Sequence, residues 1–188
     1  RTREKPYQML SALWNVVKSK QIGYVNPSPS YALNGQRIRL AEDIKNTPNA
    51  ACLDLALLFS SAIERMGLNP LVCITKQHAF VGAWLIDTSS NFITNDDTME
   101  LRKKVANQDL ILFETTLAAL GSKATFAQAV EAADFTTVLD SGQSALQLIK
   151  RVRNITSTSS AFDAAPSISN QAEPGDRLRY EITFTNTG

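Results

Sequence analysis

Three residue types in this sequence could together carry out nucleophilic catalysis: a cysteine, a histidine and a carboxylate. Cys52 opens a strongly apolar run, His78 follows a polar pair, and Glu114 ends the apolar run 110–113. A thiolate attacks a carbonyl carbon, an imidazole relays the proton, and a carboxylate holds the imidazole in one tautomer. The set therefore indicates covalent chemistry at a carbonyl group.

The cysteine is predicted to lie in the first turn of a buried helix. The run from Cys52 to Met66 is apolar on nearly every side, and Gly67 is placed to end it. Pro48 breaks the chain upstream, and Asn49 is a candidate N-cap. The helix dipole and the free N–H groups there favour the thiolate and a developing oxyanion. A cysteine at a helix start is also often a packing residue, and that alternative stays open.

The histidine is predicted to open a strand that runs from His78 to Ile86. A base at the end of a sheet, facing a helix N-terminus, suits a cysteine–histidine pair. Glu114 on a neighbouring strand could orient the imidazole, and Asp87 is its rival because it is closer in sequence. Gln36, upstream of the cysteine, could donate a side-chain N–H to the oxyanion.

The elements around these residues follow from apolar periodicity and turn residues. Trp14 and Tyr24 could line a groove, although packing in the core is favoured, and Cys73, in mid-strand, is expected to be buried and inert. The remaining predictions are helices at 6–21, 98–106, 125–133 and 144–152, with a capping box at 125–128, and strands at 70–75, 110–116, 135–140 and 180–185.

Composition narrows the function classes. The chain has 188 residues, 44% of them apolar, which is typical of a globular protein and excludes a wholly disordered chain. Its formal net charge of +1 gives little support to nucleic-acid binding by this domain. The sequence contains no run of 18 apolar residues, so it predicts no membrane-spanning helix. One histidine and two cysteines give no zinc-ligand spacing, so we expect no metal or cofactor.

Three segments, Cys52–Leu58, Gly67–Pro70 and His78–Leu85, resemble the transglutaminase-like branch of the papain superfamily. That family places a nucleophilic cysteine at the start of a buried helix, then a histidine and an acid on adjacent antiparallel strands. The segment 113–116 matches the position of the acid, with Glu114 where aspartate is usual. The resemblance covers roughly residues 7–155. It implies an α+β papain-like fold with a central buried helix packed on an antiparallel sheet.

The resemblance extends to the transglutaminase-like module of large bacterial proteins that also carry helicase and nuclease regions. The segments that carry it are Gly35–Arg39 and Phe126–Ala129. It implies a larger parent chain with other domains and favours a cytoplasmic location. The family commonly has glycine two residues before the cysteine, where this chain has Ala50, and that departure puts full activity in question.

The C-terminal part differs in composition. Residues 154–173 are rich in serine, threonine and alanine and predict a linker. The tail from Pro174 to Gly188 resembles the opening strands of an immunoglobulin-like repeat of bacterial surface proteins, which implies a cell-surface or secreted location as the alternative. We predict a transglutaminase-like domain at 1–155 and a linker with a truncated β-rich extension at 156–188. The start at Arg1, without methionine, indicates a fragment.

The resemblance implies a hydrolase that acts on peptide or carboxamide bonds, a protease or amidase, with amine transfer as a related outcome. Cys52 would be the nucleophile, His78 the base and then the acid, and Glu114 the orienting carboxylate. The Cys52 N–H and Gln36 would stabilise the oxyanion. A peptide or protein would be the substrate. An inactive binding module is the alternative, favoured by the alanine and glutamate departures, and a spacer in a surface protein is a third interpretation.

Overall fold

The computed structural model describes residues 2–26, 38–75, 78–88 and 97–133, together with the backbone of three C-terminal strands. Helices and strands both occur, so the predicted α+β class is confirmed. The helices are α1 (Glu4–Ser19), α2 (Ala41–Asn46), α3 (Cys52–Arg65), α4 (Thr98–Ala106) and α5 (Phe126–Ala132), with a short 3₁₀ helix at Thr115–Ala118. The strands are β1 (Gly23–Tyr24), β2 (Asn49–Ala50), β3 (Pro70–Ile74), β4 (Ala79–Trp84), β5 (Leu110–Phe113), β6 (Arg151–Asn154), β7 (Asp163–Ala164) and β8 (Leu178–Glu181).

The main sheet has three antiparallel strands in the order β3-β4-β5. Val81 at its centre pairs with Val72 on one side and Phe113 on the other. Side chains alternate between the two faces of a strand, and β4 shows this alternation. Val81 belongs to the cluster that includes the residues of α3, and Phe80 belongs to the cluster on the opposite face. The sheet is therefore covered on both sides.

Helix α3 forms the centre of the larger cluster, as its all-round apolar sequence predicts. Leu55, Phe59 and Ile63 recur at four-residue spacing and are fully buried. The helix ends before Gly67, which adopts a φ of 76°, a conformation that glycine tolerates best. Its packing against the sheet fixes the place of its first residue, the cysteine.

The start of α3 differs from the prediction. Ala51, not Asn49, is the N-cap residue, and Asn49 lies instead in β2. The physical reason is that Asn49 pairs with Gly23 of β1, which holds it in extended backbone. Ala51 has no side-chain acceptor, so the capping role passes to Asp54, whose carboxylate accepts the Ala51 N–H at 2.9 Å.

An aromatic cluster joins four elements beneath the sheet end that carries Glu114. Trp14, Phe59, Phe113 and Phe126 lie with neighbouring ring centroids 5.2–6.1 Å apart. Trp14 is fully buried, as predicted. These rings link α1, α3, β5 and α5, so they fix the end of β5 against the helix that begins with Cys52.

Several of the predicted bounds of helices and strands are confirmed, and others differ from the structure. Helix α4 has the predicted bounds, and Thr125 forms the predicted capping box with Gln128. Strand β5 ends at Phe113 rather than at Thr116. The reason is that the Glu114 N–H donates to the carbonyl of Ala129 in α5, and a 3₁₀ helix follows at once.

The C-terminal strands contradict part of one prediction. Arg151 and Val152 lie in β6, where the sequence predicted the end of a helix. Ladder hydrogen bonds of β6 with β7 and β8 take the place of helical ones there. Strand β7 falls within the predicted linker, and β8 overlaps the predicted strand at 180–185. The predicted domain boundary after residue 155 stays a prediction. None of the helices in the described ranges is both long and apolar enough to cross a membrane.

Candidate active site

Cys52 is the first residue of α3 and is buried, with 8% of its surface exposed. The side chain of His78 and the backbone N–H groups of Ala79 and Leu53 lie close to its sulfur, where they stabilise negative charge. The first turn of a helix leaves N–H groups without partners inside the helix, and one of them serves the sulfur here. The thiol is thus surrounded by donors that stabilise negative charge.

These contacts change the acidity of the thiol. The hydrogen bond with His78 lowers the pKa of Cys52, and the N–H groups of Ala79 and Leu53 lower it further. Burial opposes them, but the pKa stays below its ordinary value. Since the thiolate is the reactive form of cysteine, the site favours the nucleophile.

His78 lies in the short connection between β3 and β4 and is held there through its backbone. The Thr75 N–H donates to the carbonyl of His78 at 2.8 Å, and the His78 N–H donates to Thr75 Oγ1 at 3.1 Å. The imidazole stacks on Phe80, with ring centroids 6.2 Å apart. One third of the side chain, 34%, remains exposed, so a substrate can reach the ring.

Glu114 contacts the imidazole on the side away from the sulfur. His78 Nε2 lies 2.6 Å from Glu114 Oε2, which leaves Nδ1 as the ring nitrogen that faces Cys52. The other oxygen, Oε1, accepts the backbone N–H of Thr116 at 2.9 Å and its hydroxyl at 2.7 Å. The carboxylate is therefore held in place on both of its oxygens.

The imidazole and the carboxylate favour their charged forms. Hydrogen bonds with Cys52 and then with Glu114 raise the pKa of His78 to about 10, against the opposing effect of burial. Burial raises the pKa of Glu114, but its hydrogen bonds with His78 and Thr116 outweigh burial and hold this pKa below its ordinary value. The site therefore favours a thiolate, an imidazolium and a carboxylate in a row.

A buried carboxylate secures the backbone around the cysteine. Asp54 is 1% exposed; its Oδ1 accepts the Arg39 N–H at 2.7 Å, and its Oδ2 accepts the Ala51 N–H at 2.9 Å. The Arg39 guanidinium, on a 40% exposed side chain, also reaches Oδ2 at 3.2 Å. Asp54 thus ties the segment before α2 to the residue that precedes the nucleophile.

The structure brings Cys52, His78 and Glu114 together. Gln36 lies outside the described residues, so its predicted role stays a prediction. Asp87, the rival acid, follows the opposite end of β4 from His78. A six-residue strand spans about 20 Å, so Asp87 is too far away to orient the imidazole.

Cys73 behaves as predicted, and Tyr24 does not. Cys73 is 1% exposed on the other face of the sheet, where burial raises the pKa of its thiol. Tyr24, expected in the core, is 44% exposed. Its side chain lies near the Cys52 sulfur. Burial raises the pKa of Tyr24, and the charges of Cys52 and Glu114 raise it further.

The sequence indicated Tyr24 only as a residue that could line a groove, and it favoured core packing instead. Tyr24 lies in a two-residue strand, too short for a period, and reaches the cysteine only through the pairing of β1 with β2. Among the residues that the structure describes, no group of three His, Cys, Asp or Glu side chains could hold a metal ion. Comparison with protein-family models found no match, and neither did comparison with curated proteins or with solved structures.

Proposed function

We propose that the protein is a cysteine hydrolase of the transglutaminase-like type within the papain superfamily, and that it acts on peptide or carboxamide bonds. The observation that carries this proposal is the continuous chain of contacts from the Cys52 thiol through His78 to Glu114. Supporting it, the nucleophile begins a buried helix and the other two residues flank adjacent antiparallel strands, in the order that the resemblance implies.

Acylation begins with the Cys52 thiolate. Its sulfur forms a bond to the carbonyl carbon, and the π pair of the carbonyl moves onto oxygen. The His78 imidazolium then gives its proton to the leaving nitrogen as the carbon–nitrogen bond breaks, which leaves a thioester on Cys52. The Cys52 N–H, at the first position of α3, is the first donor to the oxyanion, and Gln36 remains a second predicted donor.

Deacylation uses the same imidazole in its neutral form. His78 takes a proton from water, and the resulting nucleophile attacks the thioester and releases the acid. Glu114 keeps the ring oriented and stabilises the imidazolium in both steps. An amine in place of water would give transfer rather than hydrolysis, and we favour hydrolysis of a peptide or protein substrate.

The departure at Ala50 is compatible with this proposal. Ala50 is fully buried in the main cluster, and its carbonyl accepts the Val25 N–H at 3.0 Å. The alanine methyl group is therefore accommodated by packing rather than placed in the path of a substrate. An inactive binding module remains the alternative function, and the experiment below separates the two.

The test is the rate of Cys52 alkylation by iodoacetamide as a function of pH, read by peptide mass spectrometry. We expect Cys52 to react at a pH well below that of a free thiol, whose pKa is about 8.5. His78→Ala should move the profile up toward that value, because the hydrogen bond that lowers the Cys52 pKa is removed. Buried Cys73 serves as the internal control, since its labelling reports unfolding.

Two results would contradict the proposal. One is a Cys52 profile that coincides with that of a cysteine in an unstructured peptide. The other is a His78→Ala profile identical to that of the wild type with Cys73 still protected. Either result would favour the binding module.

A further inference from the structure

We propose that Thr116 is a positioning residue of the site: its side-chain hydroxyl holds the Glu114 carboxylate in the orientation in which that carboxylate orients His78. This inference rests on the proposed function and adds a residue to it. Thr116 acts through the carboxylate rather than on the reacting atoms.

The contacts of Glu114 are divided between its two carboxylate oxygens. Oε2 lies 2.6 Å from His78 Nε2, whereas Oε1 accepts the Thr116 N–H at 2.9 Å and the Thr116 hydroxyl at 2.7 Å. A glutamate carboxylate turns easily about its last side-chain bond. A contact at Oε2 alone would therefore leave the plane of the carboxylate undetermined, and the donors at Oε1 fix it.

The hydroxyl is the part of this arrangement that depends on the type of residue at position 116. Any residue except proline would present the backbone N–H there. Glu114 is the N-cap residue of the 3₁₀ helix, and a cap side chain commonly accepts such an N–H. The bond from the Thr116 hydroxyl is additional to ordinary capping, and it is the shorter of the two bonds to Oε1.

The backbone of Thr116 is held by parts of the molecule outside the site. Its carbonyl accepts the Ala119 N–H at 3.1 Å, and Ala118 in the same turn is buried in the main cluster. On the other side, the Glu114 N–H donates to the carbonyl of Ala129 at 2.9 Å. The hydroxyl thus has a firm support, so it can keep the carboxylate in place while the charge of the imidazole changes.

The carboxylate of Glu114 is largely enclosed by protein. Only 15% of its side chain is exposed, so water can supply few of the donors that a negative charge needs. Burial raises the pKa of Glu114, and the hydrogen bonds with His78 and Thr116 lower it. Loss of the hydroxyl would therefore loosen the carboxylate and also favour its neutral form, which cannot stabilise an imidazolium.

The neighbouring threonine offers a comparison within the chain. Thr115 is fully buried, and its Oγ1 has no hydrogen-bond partner in the part of the chain that the structure describes. Thr115→Val and Thr116→Val remove the same hydroxyl from adjacent positions of one 3₁₀ helix. Only the second of these substitutions removes a bond to the carboxylate.

The first measurement is the titration of Glu114, observed through the NMR resonances of the His78 ring, the one histidine ring in the chain. Protonation of a carboxylate 2.6 Å from the ring nitrogen changes those resonances. We expect Thr116→Val to move this acidic step to higher pH, because a donor that lowers the Glu114 pKa is removed. Thr116→Ser keeps a hydroxyl and should restore the wild-type step, and Thr115→Val should leave the step unchanged.

The second measurement is the turnover of p-nitrophenyl acetate, which separates the two steps of the reaction. The burst of p-nitrophenolate reports acylation of Cys52, in which this leaving group needs no proton. The steady state reports deacylation, in which His78 takes a proton from water, an oxygen–carbon bond forms and the sulfur–carbon bond breaks. We expect Thr116→Val to slow the steady state about 10-fold and the burst by less. Thr116→Ser should recover the rate, and Thr115→Val should match the wild type.

Protection of Cys73 from labelling shows that each variant is folded. Three results would overturn the inference while leaving the proposed function intact: an unchanged acidic step or steady state in Thr116→Val, equal effects of Thr115→Val and Thr116→Val, or no recovery in Thr116→Ser. A wild-type protein that gives no burst would instead overturn the proposed function. The acidic step would then still decide whether the hydroxyl holds the carboxylate.

Discussion

The contacts of Glu114 explain how its side chain is held. The carboxylate caps the 3₁₀ helix at Thr115–Ala118 by accepting from the Thr116 N–H, and it faces His78 with its other oxygen. Contacts to both oxygens of the carboxylate thus restrict the movement of the whole side chain. Glu114 is therefore held in an orientation in which it contacts the imidazole.

Substituting this carboxylate should change the acidity of His78. Glu114→Gln removes a charge and a hydrogen-bond acceptor, both of which raise the pKa of His78. The pKa of His78 should therefore fall from about 10 toward its ordinary value of 6.5. The chain has one histidine, so its ring resonances in an NMR titration need no assignment. Asp87→Asn is the matched control and should leave the titration unchanged, because Asp87 follows the far end of β4.

The contrary outcome is simple to recognise. If Asp87→Asn lowers the pKa of His78 and Glu114→Gln does not, the carboxylate that orients the imidazole is the one nearer in sequence.

Residue type and position predicted Cys52, His78 and Glu114 because each departs from the pattern of its own element. A thiol begins an apolar helix, an imidazole begins a strand and a carboxylate ends one. Tyr24 could not be predicted in this way, since an aromatic residue before a loop has no such contrast. Its position beside the segment that leads to Cys52 depends on the pairing of two strands of two residues each, which no local pattern encodes.

At the scale of elements, Asp54 stabilises the start of α3 mainly by accepting hydrogen bonds from two backbone N–H groups. Its ion pair with Arg39 contributes less. Asp54→Ala would leave the backbone N–H groups of Ala51 and Arg39 without acceptors, and we expect a loss of about 2–3 kcal/mol in the free energy of unfolding. Arg39→Ala keeps both backbone bonds and removes only a partly exposed ion pair, so we expect a loss of about 1 kcal/mol or less.

Urea unfolding monitored by tryptophan fluorescence measures both variants, since Trp14 and Trp84 are buried in separate clusters. Equal losses in the two variants would show that the guanidinium, rather than the backbone N–H groups, accounts for the stabilisation by Asp54.

Periodicity predicted the elements that bury a continuous face. Helix α3 and strands β3 and β4 lie where the apolar pattern placed them, because their burial and their local pattern agree. The pattern was wrong at Arg151 and Val152, where the ladder with β8 decides the conformation. It also placed the helix cap at Asn49, where pairing with β1 was the stronger constraint. Pairing between distant segments is what the local sequence does not show.

At the scale of the whole molecule, the candidate site joins segments that are far apart in the chain. Tyr24, Cys52, His78 and Glu114 come from four elements or their ends, and the ring cluster beneath β5 connects the two helices and the strand around them. The ionisation of the site is therefore coupled to folding, because an unfolded chain has none of these contacts.

This coupling gives the dependence of stability on pH two opposing contributions. The raised pKa of His78 contributes stability that is lost as the pH rises from about 6.5, the value in the unfolded chain, to about 10. The lowered pKa of Cys52 contributes stability that is present above the ordinary thiol value of 9.0 and is lost as the pH falls through the lowered pKa. The two contributions oppose each other below 9, and above 9 stability falls as the pH rises through the His78 pKa of about 10.

Urea unfolding at a series of pH values measures this profile. The stability of the wild type relative to Cys52→Ala should increase with pH between about 6.5 and 9, because only the wild type has the lowered thiol pKa. Cys73→Ala, the control, should lower stability by an amount that stays constant over this range, since Cys73 lies away from the site. A constant difference between the wild type and Cys52→Ala would show that folding does not lower the pKa of the Cys52 thiol.

The spacing of the site along the chain also has a consequence for biosynthesis. A ribosome produces Cys52 before His78, and it produces both before Glu114 and the Thr116 that holds it. The groups that lower the pKa of the thiol are Leu53, His78 and Ala79, so the thiol keeps an ordinary acidity at least until residue 79 has been made. Translation therefore yields a cysteine of ordinary acidity first, and the lowered pKa is a property that the chain acquires when the later segment has emerged and folded.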